Sequence, residues 1–106
     1  MKILFDQGTP LPLKKYLAAH TVSTAYQRSW HEKKNGDLIA TAEEAGFDCI
    51  ITTDKNLRYQ QNLTNRKIAI IVLPLTRWDI IEKHISIVEQ TAEQAVPGAF
   101  LEILFP

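Results

Sequence analysis

Residues 68–73, Ile-Ala-Ile-Ile-Val-Leu, form an apolar run with no polar interruption. A strand with one wet face alternates polar and apolar residues, so a continuous apolar strand needs cover on both faces. Arg66-Lys67 and Pro74 bound the run at strand length. It therefore predicts a central parallel strand, with helices above and below the sheet. Two shorter runs share its character: Ile3-Leu4-Phe5 and Cys49-Ile50-Ile51.

The intervening segments supply the helices. Pro10 and Pro12 suit a helix start, and Leu13, Tyr16 and Leu17 follow at helical spacing. His20–Ala25 (HTVSTA) reads as a second strand, because Thr and Val favour extended backbone. Residues 26–36 are polar and aperiodic, a loop or short helix with an Asn35-Gly36 turn. From Asp37, Leu38, Ile39, Ala42 and Ala45 share a face, and Gly46 stops the helix. Lys55–Leu63 suggests one or two helical turns. Arg77–Ala95 reads as one long amphipathic helix, ended by Pro97-Gly98 before a last strand in Ala99–Phe105. This β-α alternation predicts an α/β fold: a three-layer α/β/α domain around a mainly parallel sheet of about four to five strands.

With 106 residues the chain makes a single domain, residues 1–106. Its 12 basic and 12 acidic residues balance, so charge singles out no class of partner. The lone Cys49 cannot form an intrachain disulfide or a zinc cluster, and reads as a small buried hydrophobe. The first apolar stretch is too short for a signal peptide, and no run approaches the roughly 20 residues that span a bilayer. The expectation is a cytoplasmic protein with no membrane partner.

Two of the predicted strands end on a carboxylate, Asp6 and Asp54. Parallel strands carry their C-terminal ends on one edge, so these acids converge if their strands are neighbours. Asp37 opens a helix. If that helix runs antiparallel to the strands, its start is expected at the opposite edge, unless the loop before it folds over the top. Each acid also has a local explanation: a turn for Asp6, the helix dipole for Asp37, an N-cap for Asp54. Carboxylates gathered without basic neighbours repel, whereas Mg²⁺ or Mn²⁺ between them makes the cluster favourable.

The stretch Asn35–Leu57, NGDLIATAEEAGFDCIITTDKNL, resembles the closing motif of PIN-domain ribonucleases. There an aspartate opens a helix, a glycine turn leads to a hydrophobic strand, and the strand ends in Thr-x-Asp. Asp37, Gly46 and Thr52-Thr53-Asp54 stand in those places, and Ile3–Gly8 (ILFDQG) resembles the family's first strand, which ends on a metal-binding aspartate, here Asp6. The resemblance covers residues 1–75 closely and the remainder loosely. It is nearest to a short PIN-like bacterial branch that includes toxins of toxin–antitoxin pairs.

It implies a ribonuclease using Mg²⁺ or Mn²⁺, with Asp6, Asp37 and Asp54 as the catalytic and metal-holding residues. Lys55, Asn56 and Arg58 are candidate phosphate contacts, and Thr52 can orient a carboxylate or a water through its hydroxyl. Trp30 and Lys33, in the basic-aromatic loop Ser29–Asn35, are candidates to stack and hold RNA. Fuller members of the family carry a further acid, usually Glu, on a helix that is contracted here to about Ser23–Lys34. Glu32 is the only acid in that segment, and Glu43 faces elsewhere. A three-acid site keeps a second expectation open, a catalytically weak or inactive binding module that works through a small antitoxin-like partner. A receiver-like signalling domain fits less well, because no second acid stands beside Asp6. The last strand is also an edge on which a homodimer could pair.

Overall fold

A computed structural model of the chain describes residues 1–55 and 66–106. Five strands form one sheet: β1 (Lys2–Phe5), β2 (Thr21–Thr24), β3 (Cys49–Thr52), β4 (Ala69–Val72) and β5 (Phe100–Glu102). Their order is β2-β1-β3-β4-β5, and each adjacent pair is parallel. Helix α1 (Asn35–Glu44) connects β2 to β3, and α2 (Trp78–Ile81) and α3 (Ile85–Gln94) lie between β4 and β5. Beyond Lys55, the helical turns expected over Lys55–Leu63 lie outside the described residues. No described helix is long and apolar enough to cross a membrane.

The two-residue period of the strands divides the core. Ile3, Phe5, Cys49, Ile51 and Ile71 face Leu13, Leu17, Ile81, Val88 and Ala92 on one side of the sheet. Leu4, Ile50, Ile70 and Val72 face Leu38, Ile39 and Ala42 of α1 on the other. Helices thus cover both faces. β4, the run that predicted this arrangement, is flanked by β3 and β5 and buried along its whole length.

The Asn35-Gly36 pair, read as a turn, is instead the first two residues of α1. Three other local expectations change. Leu11–Leu17 is a 3₁₀ helix, with Leu13 and Leu17 buried. The long helix expected over Arg77–Ala95 is broken by a 3₁₀ turn at Glu82–His84. There His84 leaves helical dihedrals, and its ring stacks on Phe105 with the centroids 4.5 Å apart. Third, α1 begins at the same sheet edge as Asp6 and Asp54, not the opposite one. A crossover helix departs from the carboxyl end of the strand before it, so running antiparallel puts its start at that edge. Its far end sits by the start of β1, where the Lys2 ammonium donates to the Ala45 carbonyl at 2.9 Å. Gly46, at φ 86°, closes α1 in the left-handed conformation. Phe47 N–H donates to the Ala42 carbonyl and Gly46 N–H to that of Glu43, the paired bonds of a Schellman cap.

Cys49 lies in β3 and is fully buried. Burial, helped by the neighbouring Asp48 charge, pushes its thiol up from an ordinary 9.0 to about 12. Because the folded thiol holds its proton more tightly than the unfolded one, its contribution to stability is complete below pH 9.0. That contribution is lost as pH rises towards about 12. Urea titrations of wild type and Cys49→Ala at about pH 8 and about pH 11 should show a steeper alkaline loss for wild type. Parallel losses in the two proteins would contradict this assignment.

Candidate functional site

Strand order reverses at β1: the chain moves from β1 outward to β2, then returns past β1 to β3. In open parallel sheets the carboxyl ends at such a reversal border a crevice where ligands bind. Asp6 follows β1 and Thr52-Thr53-Asp54 closes β3, so both lie at this point.

Asp6 is tied to β3 through backbone and side chain. Its N–H donates to the Ile51 carbonyl at 3.1 Å. Thr52, only 2 % exposed, donates its hydroxyl to Asp6 Oδ2. The same Thr52 oxygen accepts the Asp54 N–H at 3.1 Å, so one hydroxyl links the two aspartate-bearing strand ends. On the other side, the buried Thr9 hydroxyl stands 2.8 Å from Asp6 Oδ1 and 2.7 Å from the Ile51 carbonyl. A hydroxyl has one proton, so Thr9 shares it between these two acceptors. Among the described residues, no lysine or arginine forms an ion pair with Asp6.

The Thr53 side chain stands close above Gly8. A methyl group there would overlap the Thr53 hydroxyl and lie 3.9 Å from Asp6 Oδ1. Gly8→Ala should therefore destabilise the fold by about 1–3 kcal/mol, the usual range for overpacking. Urea denaturation measures this, and an unchanged midpoint would show that the Thr53 side chain turns aside without cost.

The other candidates distribute around this centre. Asp37 is exposed in the first turn of α1, on the same edge but outside the cavities that border Asp6. Lys33 lines a polar cavity of about 140 Å³ with Asp6, Gln7, Trp30 and His31. The half-buried Trp30 ring packs edge-on against Phe47, at 5.9 Å and 74°. The Arg28 guanidinium stands 5.5 Å from the Trp30 ring centre. Lys55 is exposed and lines a separate crevice with Leu73, Pro74 and Leu104. Asn56 and Arg58 lie outside the described residues. Glu43 sits at the far end of α1, 3.9 Å from Arg66, in line with its facing elsewhere. Among the described residues, no three His, Cys, Asp or Glu side chains are grouped to hold one metal ion.

Sequence reasoning missed Thr9 and Tyr26, and reached His31 only as a member of the basic-aromatic loop Ser29–Asn35. Thr9 carried one signal, its place three residues after Asp6, where a hydroxyl can reach back across a turn. The Thr9 N–H to Asp6 carbonyl bond of 3.2 Å is that turn. Tyr26 and His31 meet only because residues 25–31 curl back, with Trp30 N–H donating to the Ala25 carbonyl at 2.8 Å.

No family model, curated protein or solved structure matches this chain.

Proposed function

We propose that this chain is a PIN-like ribonuclease that hydrolyses phosphodiester bonds at the carboxyl edge of its sheet. One observation carries the reading. Asp6 and Asp54 end adjacent parallel strands at the point of reversal, joined through the Thr52 hydroxyl.

The donor set suits a divalent cation. A carboxylate offers about four lone-pair sites, and the two threonine hydroxyls occupy one on each Asp6 oxygen. Capacity remains for a hard cation, and Mg²⁺ usually takes only one or two carboxylates directly. Asp6 and Asp54 are the residues proposed to hold Mg²⁺ or Mn²⁺, and Asp37, exposed at the start of α1 on the same edge, would have to turn toward them to take part. When bound, the ion supplies Lewis acidity toward the phosphoryl oxygen and toward an attacking water. Thr9 and Thr52 fix the rotamer of Asp6, and Lys33 offers positive charge to the substrate backbone.

The test is cleavage of RNA with added Mn²⁺ by wild type, Asp6→Asn and Asp54→Asn. Loss in both variants supports the assignment, and equal activity in all three overturns it. A second reading, a non-catalytic module acting through a small protein partner, has its own observation. Both Asp6 oxygens already accept hydroxyl bonds, a state that a purely structural aspartate would also reach. Calorimetry separates the two readings: no heat and no thermal stabilisation from millimolar Mg²⁺ or Mn²⁺ favours the module.

A further inference from the structure

On the β2 side of Asp6 lies a second cavity, of about 320 Å³, lined by Leu11, Thr24, Tyr26 and Gln27 together with Gln7 and Thr9. That volume is at the small end of ligand pockets, which start at roughly 300 Å³. It suits one planar heterocycle better than a peptide segment or a duplex. Asp6 and Gln7 also line the adjoining polar cavity with His31 and Lys33, so the pocket opens directly beside the proposed hydrolytic centre.

The most unusual wall is Tyr26. It is 70 % exposed, which is high for an aromatic ring, yet the ring is supported. His31 stands behind it with centroids 4.8 Å apart and planes tilted by 35°. The turn that presents it is closed by reciprocal bonds of 3.0 Å, Thr24 N–H to Gln27 Oε1 and Gln27 N–H to the Thr24 hydroxyl. Ser29 completes the turn in left-handed backbone, φ 62°, while its N–H donates to the Tyr26 carbonyl. A side-chain amide that accepts a backbone N–H through its oxygen must point its NH₂ elsewhere. Gln27 therefore brings donors, not acceptors, to its free end.

From these features we infer that the Tyr26 pocket is a subsite for one unpaired nucleobase of the substrate, stacked on Tyr26 and hydrogen-bonded through an acceptor edge to Gln27. The choice of occupant rests on the ribonuclease reading. An aromatic platform beside a polar centre is how single-stranded RNA is commonly gripped, because every base has a π-face to stack. Within a duplex, stacking covers the faces of a base and pairing its Watson–Crick edge, so the subsite selects single-stranded or looped RNA. Tyr26 acts here in binding, and the bond-breaking chemistry stays with the aspartates.

The test titrates the full chain, without metal, with the four ribonucleoside monophosphates, which hold no phosphodiester to cleave. Ribose 5-phosphate serves as the control that lacks a base. NMR shifts or tyrosine fluorescence should report binding of the nucleotides and none of the sugar phosphate. Tyr26→Ala should weaken nucleotide binding about tenfold or more, and Tyr26→Phe should retain it. In RNA cleavage, Tyr26→Ala should raise KM and leave kcat unchanged. Because Tyr26 is exposed, its removal leaves the buried core intact. Base-dependent binding without any RNA cleavage would keep the subsite and remove the hydrolytic reading. RNA cleavage with an unaltered KM in Tyr26→Ala, or no nucleotide binding at millimolar concentration, would overturn the subsite.

Discussion

Asp6→Asn should reduce Mn²⁺-dependent RNA cleavage by more than the roughly 10- to 100-fold that losing an outer partner of a metal ligand costs. The substitution separates charge from shape. Asparagine fills the same volume, and its carbonyl still accepts from one threonine. The other threonine can rotate its hydroxyl to accept from the new NH₂, and Thr9 has the Ile51 carbonyl as a second acceptor 2.7 Å away. The fold should therefore survive, leaving the missing negative charge as the main difference. Thr52→Val should give the smaller effect, within that 10- to 100-fold range, because it removes the bond that orients Asp6 and leaves the carboxylate. A thermal melt checks that each variant is folded, and initial cleavage rates over a Mn²⁺ titration measure the loss. Full activity in folded Asp6→Asn would remove Asp6 from the chemistry and return it to the role of a turn residue.

The largest effect on stability is expected at Ile51. Its side chain is fully buried in β3, in the cluster that also holds Phe5 and Ile71. Ile51→Ala removes three carbons where neighbours from both flanking strands can only partly collapse, and should cost about 2–5 kcal/mol. The site should also suffer, because the Ile51 carbonyl accepts both the Asp6 N–H and the Thr9 hydroxyl. Urea denaturation measures the first consequence. The second should appear as a larger fractional loss of activity than the unfolded fraction explains. A loss below about 1 kcal/mol would mean that the sheet repacks around the gap more readily than cores usually do.

Much of the architecture was legible because apolar pattern is a local property. Ile68–Leu73 required cover on two faces wherever it lay, and the sheet supplies that cover. Gly46 announced the end of α1, since a left-handed closing residue favours glycine. Helix continuity was less legible. The Arg77–Ala95 pattern keeps its period through His84, and at the break His84 stacks on Phe105, some twenty residues later, a contact the local pattern does not announce. At the site, the aspartates could be picked out as strand-end carboxylates. Of the two threonines that hold Asp6 in place, Thr52 could be named from its place in Thr-x-Asp, whereas Thr9 is an ordinary threonine until β1 and β3 are neighbours.

From sequence alone come an α/β chain with apolar strands, two of them ending on aspartate, and a helix opening with a third. These features follow from the spacing and type of adjacent residues and need no knowledge of partners. Tertiary structure decided the order β2-β1-β3-β4-β5, which joins Asp6 to Thr52 and Asp54 across one hydroxyl and starts α1 on the same edge. Strand order is set by which way each crossover turns, and that depends on the faces available for packing across the whole sheet. No local pattern encodes it.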